Sequence, residues 1–419
     1  SVALLYLAVR RWYGPVAGLL AGTTLALTPI AVLMFRFNNP DALLVLLLVA
    51  AAYAMVRATE AASIRWIAFA GVLVGFAFLT KSLQAFLVLP AFVLMYLIAA
   101  PTGLGKRIRD LLIAFAAIVV AGGWWVALVE LWPADSRPYI GGSQTNSALD
   151  LILGYNGLGR LTGDEAGSVV PGGGAGGPGG GNGGGMWGET SWHRMFDGSW
   201  AGGIAWLLPA ALVLAVAGFW FTRNQNRVST QRAGLVLWTG WLLVTLATFS
   251  FGSGIIHEYY AVALAPAIGA LVGLGAMLLW NRRDELAPRV VLAVVIAGSG
   301  LYASSLLLRA GTPYSTVGLL VAIVACAAGC LLAVDATPRF TQGAAIAGAA
   351  ALLVGPLMFS VQTAATAHTG SLPTAGPTLS GSTGRGGPGG GGPGGGGPGA
   401  MGGPGGQLAP PTGTGATGP

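Results

Sequence analysis

Apolar runs of about twenty residues recur along this chain almost from end to end, separated by short loops that carry most of its charge. A run of that length is what one helix needs to cross the hydrocarbon core of a bilayer. We place spans at 15–35, 42–56, 66–80, 83–100, 111–130, 203–221, 234–251, 259–280, 289–308, 315–333 and 343–360, eleven in all. Lipid offers no partner to an open backbone amide, so each span is a helix. Composition agrees: 54% of residues are hydrophobic and 8% charged, against about 25% charged in a soluble domain. The fold class expected is an all-α polytopic membrane protein. The run Val2 to Val9 is too short to span, and we read it as the tail of a helix that begins before Ser1. No secretory signal peptide is visible, so the sequence is expected to be truncated at its N-terminus.

Orientation follows from lysine and arginine. One set of alternate loops holds Arg10, Arg11, Arg57, Arg65, Lys106, Arg107, Arg109, Arg223, Arg227, Arg232, Arg282, Arg283, Arg289 and Arg339, fourteen of the twenty-one basic residues. That set is expected in the cytoplasm. The other loops then lie outside, and with them most of the acids. The expected location is the plasma (inner) membrane, with an extracytoplasmic working face. The longest outer loop covers about 131–202 and contains a near-pure glycine run at 171–185. Residues 366–419 are rich in Gly, Pro, Ser and Thr. Neither segment can bury enough apolar area to offset its ordering entropy, so both are expected to be disordered, the second as a linker or tail after a membrane domain spanning 1–365.

Several chemistries are absent from the pattern. There is no phosphate-loop sequence, no dinucleotide fingerprint and no zinc-type spacing. Cys326 and Cys330 sit one helical turn apart inside an apolar run, a packing arrangement rather than a redox or metal motif. The net charge of +7 sits in the loops that set topology, so no nucleic-acid partner is expected.

Ionisable groups near membrane depth are costly, and four outer-side places hold them. In Arg36-Phe37-Asn38-Asn39-Pro40-Asp41, a helix start explains Asn39 as cap, Pro40 as first helical residue and Asp41 in the first turn. Asp41 in a cavity, ordering substrate or a catalytic neighbour, is compatible with that. In Leu79-Thr80-Lys81-Ser82-Leu83-Gln84, Lys81 either snorkels to headgroups or contacts a buried anion, and the scarcity of cations on this side favours the anion. In His257-Glu258-Tyr259-Tyr260, an interfacial belt accounts for the tyrosines but not for the His-Glu pair. His257 can donate a hydrogen bond or a positive charge to phosphate. The loop with Tyr139 to Ser147, then Tyr155, Asn156 and Arg160, offers amides, aromatics and close backbone approach that suit a sugar; a cap packed on the helices explains it equally well.

The order and spacing of Phe35 to Asp41, Leu79 to Lys81, and His257 to Tyr260 followed by Pro266 resemble glycosyltransferase family 39, which includes protein O-mannosyltransferases and the aminoarabinose transferases of lipid A. The loop of Tyr139 to Ser143 and Gly154 to Arg160 looks most like actinobacterial members assigned as mannosyltransferases. The resemblance covers roughly residues 1–365. It implies a GT-C type helical bundle and transfer of a sugar, mannose or a similar hexose, from a polyprenyl phosphate to a protein, lipid or glycan acceptor. It implies Asp41 as a second cavity acid, Lys81 at the lipid phosphate or sugar, and His257 with Glu258 and Tyr259 at the mouth. The family's usual catalytic acid would precede Ser1, so the general base lies outside this sequence, which alone would be inactive. No cofactor is required by this chemistry; a divalent metal could bridge phosphate and carboxylate. A secondary transporter and a catalytically inert scaffold are the competing readings. The transporter should show internal repeats and broken helices at the midplane, and the scaffold leaves Lys81 and His257 unexplained.

Overall fold

The computed structural model describes residues 1–163, 190–334, 337–370 and 372–380. All of them fall within one unit, Ser1–Arg385. The expected glycine-rich insert at 171–185 and the tail beyond 380 lie outside the described residues. Among the described residues every regular element is helical: α1 Val2–Tyr13, α2 Pro15–Ala26, α3 Pro29–Met34, α4 Asp41–Ala61, α5 Ile64–Lys81, α6 Leu89–Ala99, α7 Leu104–Leu131, α8 Ala148–Leu153, α9 Gly159–Thr162, α10 Gly198–Ile204, α11 Leu208–Phe221, α12 Thr230–Phe251, α13 Ala265–Trp280, α14 Leu286–Arg309, α15 Tyr314–Ala333 and α16 Pro338–Ala365.

Among the described residues, nine helical stretches are long and apolar enough to cross a membrane. One of them, Ile64–Ala99, is 36 residues long and contains two of the expected spans. It turns back at the 3₁₀ segment Ser82–Val88, so that both halves lie beside the start of α7: Leu97 near its end accepts a hydrogen bond from Arg107, and Gly71 near its start lies level with Ala114. The expected span 15–35 is divided between α2 and α3, where Pro29 opens the second helix. Pro lacks the amide that would have continued the first. The remaining expected spans each match one long stretch.

Side chains rather than lipid exclusion decide how these helices meet, because lipid tails are as apolar as leucine. Small residues set the distance. A Cβ on Gly71 would stand 2.3 Å from the Ala114 carbonyl oxygen, and one on Gly75 2.8 Å from that of Ile118. Those glycines let α5 lie directly on α7, which fixes where the end of α5 is delivered. The deepest stretch is Glu258–Trp280, containing α13, buried over most of its length.

The loops sort into two ends. At one, Arg11 pairs with Glu60 at 2.5 Å, the Tyr13 hydroxyl donates to Gln231 O, Arg227 donates to Ile98 O at 3.0 Å, and Arg282 donates to Phe221 O at 2.8 Å. These contacts join the loops expected to be cytoplasmic. At the other end, Arg36 donates to Ala364 O at 2.9 Å, Ser360 donates to Leu27 O at 2.9 Å, and the loops carrying Asp41, Lys81 and His257 converge. The charge alternation read from sequence is thus an alternation between two ends of one bundle.

Part of the expected tail, residues 372–380, is seated on the bundle, with Ala375 and Leu379 buried. Gly376 N donates to Thr363 Oγ1 at 2.8 Å, and Ser380 N donates to Arg309 O at 2.8 Å. Pro373, Ala375 and Leu379 are buried while Leu372, Thr374, Thr378 and Ser380 are exposed, so the segment seats one edge on the bundle and bends at Gly376, where φ is +76°.

Candidate functional site

The chain enters α4 through Asn39, whose side-chain oxygen accepts from the Asp41 amide at 2.9 Å. The cap position itself falls on Pro40, one residue later than the sequence suggested. Asp41 then sits in the first turn of α4 with its side chain wholly buried. A carboxylate at a helix N-terminus is favoured by the exposed amides there, yet one removed from water needs a specific partner.

That partner is Lys81. α5 ends on it, and the next residue, Ser82, takes φ +46°, a conformation rare outside glycine, which breaks the helix at this point. Lys81 Nζ lies 2.6 Å from each Asp41 carboxylate oxygen, and its side chain is 16% exposed. The buried anion expected for Lys81 is, in this structure, the chain's own carboxylate.

A third segment closes over the pair. His257 and the 3₁₀ turn Glu258–Leu264 precede α13. Lys81 Nζ is 3.8 Å from the Tyr260 ring centroid and 5.2 Å from that of Tyr259. His257 stacks on Tyr259 with centroids 5.3 Å apart, and the two tyrosines meet edge to face at 5.0 Å. The Asn39 side chain also neighbours the Tyr259 hydroxyl. Aromatic faces carry partial negative charge, so the two rings hold the ammonium beside the carboxylate.

Burial pushes the His257 imidazole down from 6.5 to about 4, and the positive charges of Arg160 and Lys81 push in the same direction. His257 is therefore neutral at physiological pH. It offers a hydrogen bond, not the positive charge that was its alternative role.

The fourth place splits in two. Arg160 reaches the site: its guanidinium donates to Ile255 O at 2.9 Å and lies 4.6 Å over the Tyr155 ring, with Asn156 Oδ1 3.5 Å from Nη2. The backbone there pairs with the segment before His257, through Ser253 N to Leu161 O and Gly254 N to Arg160 O, both at 3.1 Å. Tyr155, Asn156 and Arg160 thus form a cap on the His257 loop. Tyr139 does not join them. It is 76% exposed, and its hydroxyl makes a long 3.4 Å bond to Ser143 O. Glu258 opens the 3₁₀ turn beside His257 and is half-buried.

Two residues were missed in the sequence. Tyr260, read only as part of its motif, supplies the ring nearest Lys81. Arg194 is buried and donates to Phe249 O at 3.0 Å and Gly252 O at 2.9 Å, fastening the 190–197 segment to the end of α12. Burial lowers its pKa. A lone arginine in a loop gives no periodicity to detect; only its neighbour Trp200, under the guanidinium at 5.8 Å, hints at an enclosed place. Among the described residues, no group of three or more His, Cys, Asp or Glu side chains is placed to hold a metal ion.

This geometry can do two things: present a cation and hydrogen-bond donors to an anion, and release a buried carboxylate when that anion takes the cation. Comparison with known proteins adds context. Residues 1–125 match the family described as dolichyl-phosphate-mannose-protein mannosyltransferase. YkcB of Bacillus subtilis (strain 168), named as a candidate mannosyltransferase, is 31% identical over 91% of this chain and 64% of its own length. YycA of the same strain, named likewise, is 32% identical over 66% of this chain and 50% of its own length. The chain thus spans less than two thirds of either relative. Crystal structures of ArnT from Cupriavidus metallidurans, bound to undecaprenyl phosphate and in the apo state, align over 87% and 85% of this chain and 61% and 59% of theirs. Their identities are 18% and 19%, with TM-scores of 0.47 and 0.41.

Proposed function

We propose that this chain, a mannosyltransferase-like protein similar to glycosyltransferase family 39, transfers a sugar from a polyprenyl-phosphate donor to an acceptor hydroxyl at the end of the bundle that holds Asp41 and Lys81. The observation carrying the proposal is the Asp41–Lys81 pair, buried beneath Tyr259, Tyr260 and His257. ArnT's complex with undecaprenyl phosphate lends the donor class its precedent. The sugar is proposed to be mannose or a similar hexose, and the bundle to be of the GT-C type. The excess of basic loops at the opposite end supports a cytoplasmic placement for that end and an outward-facing site.

The mechanism follows from what the residues can exchange. The leaving group is a phosphate that already carries negative charge, so it needs cations and donors rather than a strong acid. Lys81 turns from Asp41 to the phosphate, and neutral His257 donates a hydrogen bond to the same group. Arg160 holds the cap over the loop that carries His257. Asp41 is then left with two free acceptor oxygens beside the reacting centre, where it orders the acceptor hydroxyl and its base. The acceptor oxygen bonds to the anomeric carbon from the face opposite the phosphate, and the configuration there inverts.

Full-length protein in liposomes, given a radiolabelled polyprenyl-phosphate hexose and a hydroxyl acceptor, tests this. Wild type should produce labelled acceptor. Lys81→Ala should bind less donor and lose transfer while eluting as a folded protein. Equal transfer by Lys81→Ala and wild type would end the proposal and leave a transporter or scaffold.

A further inference from the structure

We infer that the strap at 372–380 is itself an acceptor: Thr374, Thr378 and Ser380 are sites of glycosylation by this protein's own site. The inference rests on the transfer activity proposed above and names a substrate for it.

The strap has three properties an acceptor peptide needs. Its hydroxyls are accessible, because Thr374, Thr378 and Ser380 are exposed while Pro373, Ala375 and Leu379 face the bundle. Those hydroxyls are also unengaged. Among the described residues none of the three side chains makes a hydrogen bond, whereas Thr363 and Thr366, on the helix end just before, donate theirs to the carbonyls of Phe359 and Gln362. Its backbone is open as well: it lies outside any helix, with prolines directly before Thr374 and Thr378. A sugar added to a helical serine or threonine would meet the preceding turn; here it meets solvent.

Position supplies the second argument. The strap leaves α16 where Ala364 O accepts from Arg36, five residues before Asp41. Leu379 reaches the surface of α10 at Gly202, and α10 packs against the turn Glu258–Leu264 that carries Tyr259 and Tyr260. The hydroxyls therefore sit at the end that holds Asp41 and Lys81. Little holds them back: two buried apolar side chains, one proline, the backbone amide hydrogen bonds at Gly376 and Ser380, and a 3.3 Å bond from Arg309 Nε to Ser380 O. Once released, the eight residue steps from Thr366 to Thr374 extend over roughly 28 Å, enough to present Thr374 across that end of the bundle.

The step balances without any added reagent. The threonine oxygen bonds to the anomeric carbon, the carbon–oxygen bond to phosphate breaks, polyprenyl phosphate departs, and the hydroxyl proton passes to a site carboxylate.

Full-length protein purified from its own membranes, digested and mapped by mass spectrometry, tests the inference. Hexose is expected on the peptide carrying Thr374, Thr378 and Ser380. It should be absent from Asp41→Asn and restored when wild-type protein and polyprenyl-phosphate hexose are supplied together in liposomes. A bare strap on wild-type protein that still glycosylates an added hydroxyl acceptor would overturn the inference and leave the proposed function standing. Hexose retained on Asp41→Asn would also overturn it, since another enzyme would then be the donor. A bare strap together with no transfer to the added acceptor would remove both.

Discussion

Two aspartates are buried at opposite ends of this bundle, and they are held in opposite ways. Asp110, near the start of α7, accepts from the Tyr96 hydroxyl at 2.8 Å on one oxygen and from the Arg109 guanidinium at 2.7 and 3.0 Å on the other. Asp41 has both oxygens on one ammonium. A planar guanidinium and a rigid phenol are fixed in place, whereas an ammonium on a four-carbon stem can be redirected by any stronger anion. The carboxylate at the basic end is a fastening. The one at the other end is held by a cation that a phosphate can take.

The largest contrast should appear on neutralising each acid. Asp41→Asn should lower the turnover number for transfer by about 10²-fold or more, as expected when the group that orders the acceptor hydroxyl and its base is lost. Asp110→Ala should instead cost stability, roughly 1–3 kcal/mol for the buried partner left behind, with turnover per folded molecule unchanged. Parallel transfer assays and thermal unfolding separate the two. Comparable turnover losses in both variants would erase the distinction.

The cations extend it. Lys81→Arg keeps the charge but exchanges a compact donor for a fork that cannot pivot in the space beneath Tyr260. It should reduce transfer at least about tenfold, as a misplacement near the chemistry does. The same variant at the same donor concentration should retain the fold, which elution and unfolding report.

Protons give a third test, specific to the Asp41 end. The folded His257 pKa of about 4 lies below its ordinary 6.5. Between those values the unfolded chain binds more protons than the folded one, so stability rises with pH. This contribution is complete above 6.5 and lost as pH falls toward 4. His257→Gln should therefore flatten the fall in unfolding midpoint across that window. Arg160→Gln should narrow it from the acid side, by removing a positive charge that depresses the imidazole. An unchanged slope in His257→Gln would place the acid sensitivity elsewhere.

Much of this was legible beforehand, for physical reasons that differ by element. Spans were readable because each must satisfy its backbone alone and stay apolar for its whole length, and basic loops because each charge marks an end. Asp41, Lys81 and His257 stood out because ionisable groups are rare at that depth, and the bundle does bring them together. Their pairing was not readable: nothing in Leu79 to Gln84 says that the anion for Lys81 stands forty residues earlier. Tyr139 was drawn in by composition, since exposed aromatics in a glycine-rich loop look alike whether or not they turn inward. The strap escaped because its apolar content is slight, yet Pro373, Ala375 and Leu379 suffice to seat it. Asp110 escaped because its partner Arg109 is adjacent in sequence and reads as one more basic loop residue.

The smallest expected effect closes the comparison from the basic end. Arg109 is 57% exposed although Asp110 is buried, so water screens most of what the ion pair could contribute. Such pairs are worth about 0–1 kcal/mol. Arg109→Lys keeps a cation within reach of Asp110 and leaves the Tyr96 hydrogen bond in place. It should shift the unfolding free energy by less than about 0.5 kcal/mol and leave transfer within twofold of wild type. Exchanging one kind of cation for the other is thus nearly silent beside Asp110 and damaging beside Asp41. A loss of transfer in Arg109→Lys approaching that of Lys81→Arg would mean that the two ends are coupled, and that Asp110 is more than a fastening.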